Sequence, residues 1–371
     1  MNLANKQKNV VVIGGGLAGI VAAAAAAGQG AAVTLATSGP GTLALGGGSI
    51  SFAGMDTGRS YLKPAVQFFQ EITAAAGCDY RGNSGTLAQV PTAMGSFQAV
   101  SMAPAAIWAG RPVAGSRVLV TGIRGLSGFN AGFTAELLTA AAAQAGLEMK
   151  YSGLTVVIPW LPNGSFNTLD AANYLETESN RDKLARILQP LAKGYHLVLL
   201  PAILGHTTAS SALARFTDII GCPAGELNTV PPAVTGLRIY SRLQKYLQQA
   251  GVEMNLAYPV QTLQIRDGRC AAAVLATPGR KRVIRADSFI IASGRINQYK
   301  VVIDKDSSGN SEELQVDAAA NEYLQLLDNE NRPVAANLFG AGSLLADYNR
   351  QSGNALAILT GYQAGILAAG G

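Results

Sequence analysis

Residues 10–30, VVVIGGGLAGIVAAAAAAGQG, constrain the fold more than any other part of the chain. An apolar segment runs straight into Gly14-x-Gly16-x-x-Gly19 and then into an alanine-rich stretch. The apolar segment reads as a buried strand, the alanines as a helix and the glycines as the turn between them. In a βαβ unit of this kind the first glycine permits the tight turn and the second lets the backbone approach a pyrophosphate. The third lets helix and strand pack closely. The phosphates then rest on free N–H groups at the positive end of the helix. A second strand, Ala31–Ala36 (AAVTLA), follows at the expected distance. The sequence therefore predicts a nucleotide cofactor held by Gly14, Gly15, Gly16, Leu17, Ala18 and Gly19.

The same residues imitate a secretory signal, because Lys6 and Lys8 precede a long uncharged run. Three consecutive glycines disrupt a signal helix, and Gly28-Gln29-Gly30 leads into more strand. The run is also too rich in glycine for a membrane span, and the apolar stretch Ala355–Ala369 is too short for one. The expectation is a soluble cytoplasmic chain.

At 371 residues the length suggests two or three folding units with ample core. Charged residues make up 14%, well below the roughly 25% of average soluble proteins. So little charge implies either unusual burial or a surface covered by partners. The net charge of +5 is scattered, which argues against nucleic-acid binding. Cys78, Cys222 and Cys270 are isolated and form no C-x-x-C pair, so they read as reduced core thiols. With only His196 and His206 in the chain, a histidine-rich metal site is excluded.

A second glycine cluster, Leu45-Gly46-Gly47-Gly48-Ser49, follows the opening unit. Residues 56–112 read as mixed and rich in turns. Strands are expected at Arg117–Gly122 and Tyr195–Leu200, which places His196 in a core strand, and helices at Gly132–Ala145, Arg181–Leu191 and Gly236–Ala250. The alanines at 22–27 and 140–143 read as close-packing surfaces. Short strands from Val252 to Ile291, with turns at Asp267-Gly268 and Pro278-Gly279, suggest a meander leading into Ala292-Ser293-Gly294. The last unit is a strand ending Gly340-Ala341-Gly342-Ser343, followed by a helix from about Gly353 to Ala368. The predicted division is a discontinuous flavin- or dinucleotide-binding domain (1–55, 237–298 and 333–371), an inserted α/β domain (56–236) and an insertion or loop region (299–332).

Three glycine elements in this order, GxGxxG, Ser293-Gly294 and Gly340-x-Gly342, resemble the two-dinucleotide-binding-domain flavoproteins. The fold class expected is thus α/β, a Rossmann-type FAD/NAD(P)-binding flavoprotein fold. The resemblance implies that Gly342 and Ser343 pass the ribityl and phosphate groups of the flavin. The final helix, with Gly353, Asn354 and Ala355 at its amino end, would point at the ring and stabilise an anionic reduced form. Two positions depart from the pattern. Thr37, followed by Ser38, stands where an acid normally accepts the adenosine ribose hydroxyls, and Ser343 stands where an Asp is usual. Both substitutions lose charge, which makes a shorter flavin or a rearranged FAD site plausible.

Residues 118–132 (VLVTGIRGLSGFNAG), 227–243 (LNTVPPAVTGLRIYSRL) and 337–345 (NLFGAGSLL) resemble the B-type subunit of anaerobic glycerol-3-phosphate dehydrogenase. So do the opening motif and the Gly46–Ser49 loop, which the resemblance places against the flavin. The similarity is in order and spans most of the chain, weakest over 56–112 and 299–331. It implies a flavoprotein that carries FMN, with FAD as the alternative. Such a protein works beside an FAD-bearing catalytic A-type subunit. An iron–sulfur C-type subunit docks the complex on the inner face of the cell membrane. The complex oxidises glycerol 3-phosphate to dihydroxyacetone phosphate and passes electrons to menaquinone. The run Gln351-Ser352-Gly353-Asn354-Ala355 departs from the glycine-rich start of that family's final helix.

No paired carboxylates and no nucleophile with its base are visible. Arg238 reads as a bidentate donor to phosphate or flavin, or as a salt-bridged helix residue. Arg124 follows a strand end, where α/β sheets place ligand contacts. His206 follows another and is the candidate proton carrier. Two further functions stay open: a stand-alone flavin oxidoreductase with its own small substrate, and a cofactor-free assembly subunit of flavoprotein fold. The scarcity of charge predicts a chain that self-associates unless its partners are present.

Overall fold

The structure, a computed structural model, describes residues 7–55, 59–161, 164–229, 233–256, 258–279, 281–294, 302–304, 311–313, 318–345 and 352–371. Lys6, Pro231-Pro232, Gln351 and much of 299–332 lie outside the described residues. The elements begin with β1 (Asn9–Ile13), α1 (Leu17–Gly28), β2 (Ala32–Ala36), α2 (Leu62–Ala76), β3 (Tyr80–Gly82), β4 (Ala88–Pro91), β5 (Phe97–Val100) and β6 (Met102–Pro104). They continue with α3 (Ala105–Trp108), β7 (Arg117–Ile123), α4 (Ala131–Gln144), β8 (Lys150–Val156), α5 (Thr168–Tyr174), α6 (Glu178–Leu188), β9 (Leu197–Leu200), α7 (Ser211–Ile220) and β10 (Ala224–Glu226). Then come α8 (Val234–Gln249), β11 (Glu253–Asn255), β12 (Val260–Arg266), β13 (Arg269–Leu275), β14 (Arg282–Arg285), β15 (Ser288–Ile291), β16 (Val302–Asp304), β17 (Ser311–Glu313), β18 (Leu338–Gly340) and α9 (Gly353–Ala369).

The backbone forms two compact units, residues 1–42, 53–72 and 244–371, and residues 43–52 and 73–243. The first is built on a parallel sheet of order β11-β2-β1-β15-β18. β1 is central and its Val10–Ile13 are buried on both faces, which explains four β-branched residues in succession. The alanines of α1 make room for a close helix neighbour. A Cβ at Gly361 of α9 would lie 2.5 Å from Ala18 O, and one at Gly365 would lie 2.6 Å from Ala22 O. Ala22–Ala26 are correspondingly buried. Strands β12, β13 and β14 form the expected antiparallel meander. Its first turn holds Asp267 and Gly268 at φ 50° and 70°, the double positive φ of a tight hairpin.

The second unit carries its own parallel sheet, of order β10-β9-β7-β8. Side chains alternate across it: Val118 and Val120 enter one core with Leu138 of α4, while Leu119 enters another with Leu184 and Leu188 of α6. Helices α4 and α5 start on side-chain caps, Asn130 accepting from Phe133 N–H (3.0 Å) and Asn167 with Asp170 closing a capping box. From β7 the chain moves one way to β8, then passes back to β9 on the other side. The strand order therefore reverses between β7 and β9.

Three local expectations are corrected. Residues 62–76, expected in a turn-rich stretch, form the amphipathic helix α2, with Ala65, Phe69, Ile72 and Ala76 buried at helical spacing. His196 is exposed and precedes its strand, which starts only at Leu197, because its Nδ1 accepts from Arg117 N–H (3.1 Å) at the edge of the ladder. Of the second alanine run, Ala140 and Ala143 are exposed and Ala142 is buried, since α4 packs through one face only.

Candidate functional site

In the first unit, the three glycines of GxGxxG meet three different environments. A Cβ at Gly14, whose φ is +117°, would lie 2.3 Å from Ala292 O. A Cβ at Gly19 would lie 1.8 Å from Gly14 O. These two are glycine because the protein itself fills the space. A Cβ at Gly16 would meet no atom within 4 Å. Nothing in the protein demands glycine there, so the space is open for a ligand that needs the backbone bare. Gly16 is also the N-cap of α1, without a side-chain cap or an acid in the first turn, which leaves the helix N–H groups and positive dipole end available. These residues fit a phosphate-bearing flavin.

The remaining first-unit residues converge on the same edge. Gly14 packs against Ala292 and Ser293, and a Cβ on Gly342 (φ +73°) would lie 2.7 Å from Ala18 Cβ. A Cβ on Gly294 (φ +73°) would sit 3.5 Å from Ser343 Oγ. Gly342 N–H donates to Thr360 Oγ1 on α9 (2.8 Å), which ties the late glycine strand to the final helix. Helix α9 starts at Gly353 with no side-chain cap on Ser352, so Gly353, Asn354 and Ala355 form its amino end. Thr37 is buried, and its hydroxyl is used locally: it donates to Gly39 O (2.7 Å) and accepts from Gly39 N–H (3.1 Å). Ser38 beside it is exposed. The position of the usual ribose-binding acid is thus a hydroxyl already engaged with its own turn.

In the second unit, the loop Leu45–Ser49 is held by the segment that starts after β10. Ala233 N–H donates to Leu45 O (2.9 Å), and Asn228 Nδ2 donates to Ser49 Oγ (3.1 Å) and Gln98 Oε1 (2.6 Å). Close approach leaves no room for side chains around Gly46, Gly47 and Gly48. A Cβ on Gly236 would be 2.2 Å from Gly46 O, one on Gly47 2.0 Å from Asn228 Oδ1, and one on Gly48 2.3 Å from Ile239 Cδ1. Tyr80 Oη donates to Gly48 O (2.7 Å), and its burial pushes the phenol pKa well up, so it stays a neutral donor. Leu45 is half exposed at the start of the loop.

The three catalytic candidates all lie near carboxyl ends of the second sheet. Arg124, just past β7, is exposed, and its guanidinium makes no ion pair or hydrogen bond among the described residues. Arg238 is committed elsewhere: Nη1 and Nη2 reach Glu226 Oε2 and Oε1 at 2.6 and 3.0 Å, and Nε donates to Gly205 O at 2.8 Å. Burial works against its charge, but Glu226 and Glu176 outweigh it and raise its pKa, so the pair stays ionic. This is the salt-bridged form of the two readings of Arg238. His206 faces Glu176, with Nδ1 3.0 Å from Oε2. Sequence reasoning missed Glu176, Glu226 and Asn228. A lone glutamate in the apolar run CPAGELN, followed twelve residues later by an arginine, was a legible sign of the Glu226–Arg238 pair.

The cysteines are free and buried, and burial pushes the Cys78 and Cys270 thiols up to about 12, which removes them as nucleophiles at neutral pH. Among the described residues there is no group of three or more His, Cys, Asp or Glu placed to hold a metal, and no helix long and apolar enough to cross a membrane.

A family model described as FAD binding domain matches residues 55–243 and 232–343, and one described as glucose inhibited division protein A matches residues 9–79. The probable B-type subunit of anaerobic glycerol-3-phosphate dehydrogenase from Halobacterium salinarum is 26% identical over 424 aligned positions, covering 98% of this chain and 98% of that protein. The B-type subunit of the same enzyme from Yersinia pseudotuberculosis is 26% identical over 319 positions, covering 77% of this chain and 74% of its own length. Among solved structures, the 3-ketosteroid-delta4-(5alpha)-dehydrogenase of Rhodococcus jostii superimposes with a TM-score of 0.41 at 12% identity, covering 100% of this chain and 99% of that one, a likeness too loose to argue from. The similarity to the B-type subunit read from the motifs extends along nearly the whole chain. With an FAD-binding model matching across most of its length, the chain belongs to the FAD binding domain family and is a flavoprotein of Rossmann type.

Proposed function

We propose that this chain is the flavin subunit of an anaerobic glycerol-3-phosphate dehydrogenase complex. The observation that carries the reading is the alignment with a B-type subunit over 98% of both chains. A bound flavin supplies hydride acceptance and electron release in single steps. The chain's own part is to hold it. The first-turn N–H groups of α1 bind phosphate beside Gly14, Gly16 and Gly19. Gly342 and Ser343 follow the ribityl chain, and the amino end of α9 faces the ring. The engaged hydroxyl of Thr37 offers no charged acceptor to an adenosine ribose, which favours FMN over FAD. The same proposal takes the nucleotide-binding domain as 1–55, 237–298 and 333–371, with 56–236 inserted.

Electrons leave this flavin through another protein. The partners proposed are an FAD-bearing protein resembling the A-type subunit and an iron–sulfur protein resembling the C-type subunit. The latter brings the complex to the inner face of the cell membrane, where a quinone takes the electrons. Chromatography of the flavin released from purified protein is the first test. FMN is the expected result, FAD would redraw the adenosine end of the site, and a protein that stays colourless after incubation with both would overturn the reading. Co-expression with the two partners should give a discrete complex that reduces a quinone with glycerol 3-phosphate. A second reading, in which this chain itself takes the substrate proton, is favoured by the Glu176–His206 contact.

A further inference from the structure

Strand β8 forms one edge of the second sheet, and that edge carries almost no protection. No charged residue stands between Lys150 and Asp170 in the sequence. Proteins normally guard a free edge with charge, proline, a bulge or shortness, because its unpaired N–H and C=O groups invite another strand. β8 runs 7 residues in unbroken register with β7, and Gly153, Leu154 and Thr155 near its middle are all exposed. The opposite edge, β10, spans 3 residues, all of them buried.

The hydrogen bonds at the two ends of β8 fix which of its groups face outward. Lys150 N–H donates to Ser116 O (3.2 Å), and Val156 O accepts from Arg124 N–H (2.9 Å). Bonding groups alternate along a strand, so Lys150, Ser152, Leu154 and Val156 bond toward β7. Tyr151, Gly153 and Thr155 turn their backbone groups away from it. Tyr151 is already covered, because its N–H donates to Thr139 Oγ1 on α4 (3.2 Å). Among the described residues nothing bonds the N–H and C=O of Gly153 or Thr155. The edge therefore offers two donors and two acceptors at strand spacing, a pattern that another extended backbone matches. Leu154, 37% exposed, projects from the face opposite Tyr151.

We propose that this edge pairs with the same edge of a second copy of the chain, antiparallel about a two-fold axis at Leu154. A sheet that continues across a two-fold axis requires the two copies of the strand to run antiparallel. In this register Gly153 of each copy stands opposite Thr155 of the other. Both face outward, so each opposed pair exchanges two N–H···O bonds and none of these groups is left unpaired. Leu154 meets its own copy in the narrow, non-hydrogen-bonded pair, with Cα atoms about 4.5 Å apart. The two leucine side chains cover each other on one face. The ladder ends where Thr139 already covers Tyr151. A second copy suits this edge because the pattern is complementary to itself and brings no opposed charge. By contrast β11 and β14, at edges of other sheets, carry Glu253 and the pair Arg282 and Arg285. Two sheets become one, of order β10-β9-β7-β8-β8-β7-β9-β10.

Cysteine cross-linking of the purified full-length protein tests the contact, because Cys78, Cys222 and Cys270 are all buried. Leu154→Cys should give a disulfide-linked dimer under mild oxidation, since its Cα separation falls within the span of about 4.4–6.8 Å that a disulfide bridges. Thr155→Cys should not, because diagonal neighbours in such a pair lie roughly 8 Å apart, beyond that reach. A cross-link at 155 overturns the register, and no cross-link at either position overturns the dimer. Leu154→Lys sets like charges face to face across the axis and should weaken the dimer by about 100-fold in sedimentation velocity, with circular dichroism unchanged. Mixing that variant with Leu154→Glu should restore dimers, which neither a misfolded chain nor a contact elsewhere can do. A dimer indifferent to the lysine overturns the proposal. So does a Leu154→Cys chain that cross-links only to a co-expressed partner protein, since the edge then belongs to that protein.

Discussion

The protein contains two all-parallel sheets whose carboxyl ends are furnished in opposite ways. In the first, β11-β2-β1-β15-β18, the edge is made of glycines and small hydroxyls: Gly14, Gly16, Thr37, Ser293, Gly294 and Gly342. In the second, β10-β9-β7-β8, the edge carries Arg124, His206 and Glu226, with Arg238 and Glu176 reaching the loops behind them. Parallel sheets put their ligand-facing loops at the same end whatever their sequence. The contrast shows that one architecture serves two strategies. Where a backbone must approach a ligand closely, side chains are removed. At the other edge charges are kept and held in place by one another and by the loops they bond.

The largest expected effect tests the first strategy. Gly19→Ala places a methyl 1.8 Å from Gly14 O, a backbone atom that cannot swing aside. It should cost more than about 4 kcal/mol or prevent folding, as read from denaturant unfolding or soluble yield. Next, Glu226→Gln strands the Arg238 charge in a buried site and should cost about 3–5 kcal/mol. Replacing both partners by apolar residues should cost less than either single change, and a double variant as unstable as the sum would show that the pair contributes stability in its own right. Gly16→Ala should then separate ligand from fold. With open space around its Cβ, it should change stability by no more than about 1 kcal/mol yet weaken flavin binding by about 10–100-fold, or 1.4–2.8 kcal/mol. Equal losses in both measurements would mean that Gly16 serves packing alone.

The smallest effect is a pH dependence. The folded-state pKa of Glu176 lies below its ordinary 4.5. The stability of its contacts is therefore complete above 4.5 and is lost as pH falls from there through the folded-state value. Glu176→Gln should narrow its stability gap from the parent along that acid limb. A gap that stays constant with pH would show that the carboxylate is not held ionised by the loop.

Much of the first sheet's edge was legible beforehand, because its requirement is local. Gly14, Gly16 and Gly19 sit within six residues; backbone sterics of the strand–turn–helix dictate Gly14 and Gly19, and the motif's spacing marks Gly16. The helix at 62–76 was missed because its apolar residues alternate with Lys63, Gln67 and Gln70 in a pattern that only the 3.6-residue period organises. The second edge was half legible. Arg124, His206 and Arg238 stood out as polar residues after strands. Their partners were hidden, because Glu176 lies thirty positions before His206 and Asn228 lies 179 positions after Ser49.

The sequence by itself determined the α/β class, the glycine turn after β1 and the meander, since each depends on short-range periodicity or on glycine at a tight turn, while the resemblance of its motifs pointed to the flavoprotein family. Only the tertiary structure decided that Gly16 alone of the three glycines faces open space, that the Thr37 hydroxyl is spent on its own turn, and that Glu176 and Glu226 pin the loop carrying His206. Those are properties of contacts between distant residues. A linear pattern shows which groups a chain possesses, while burial and mutual distance decide which of them meet, which stay ionised and which are left free to act.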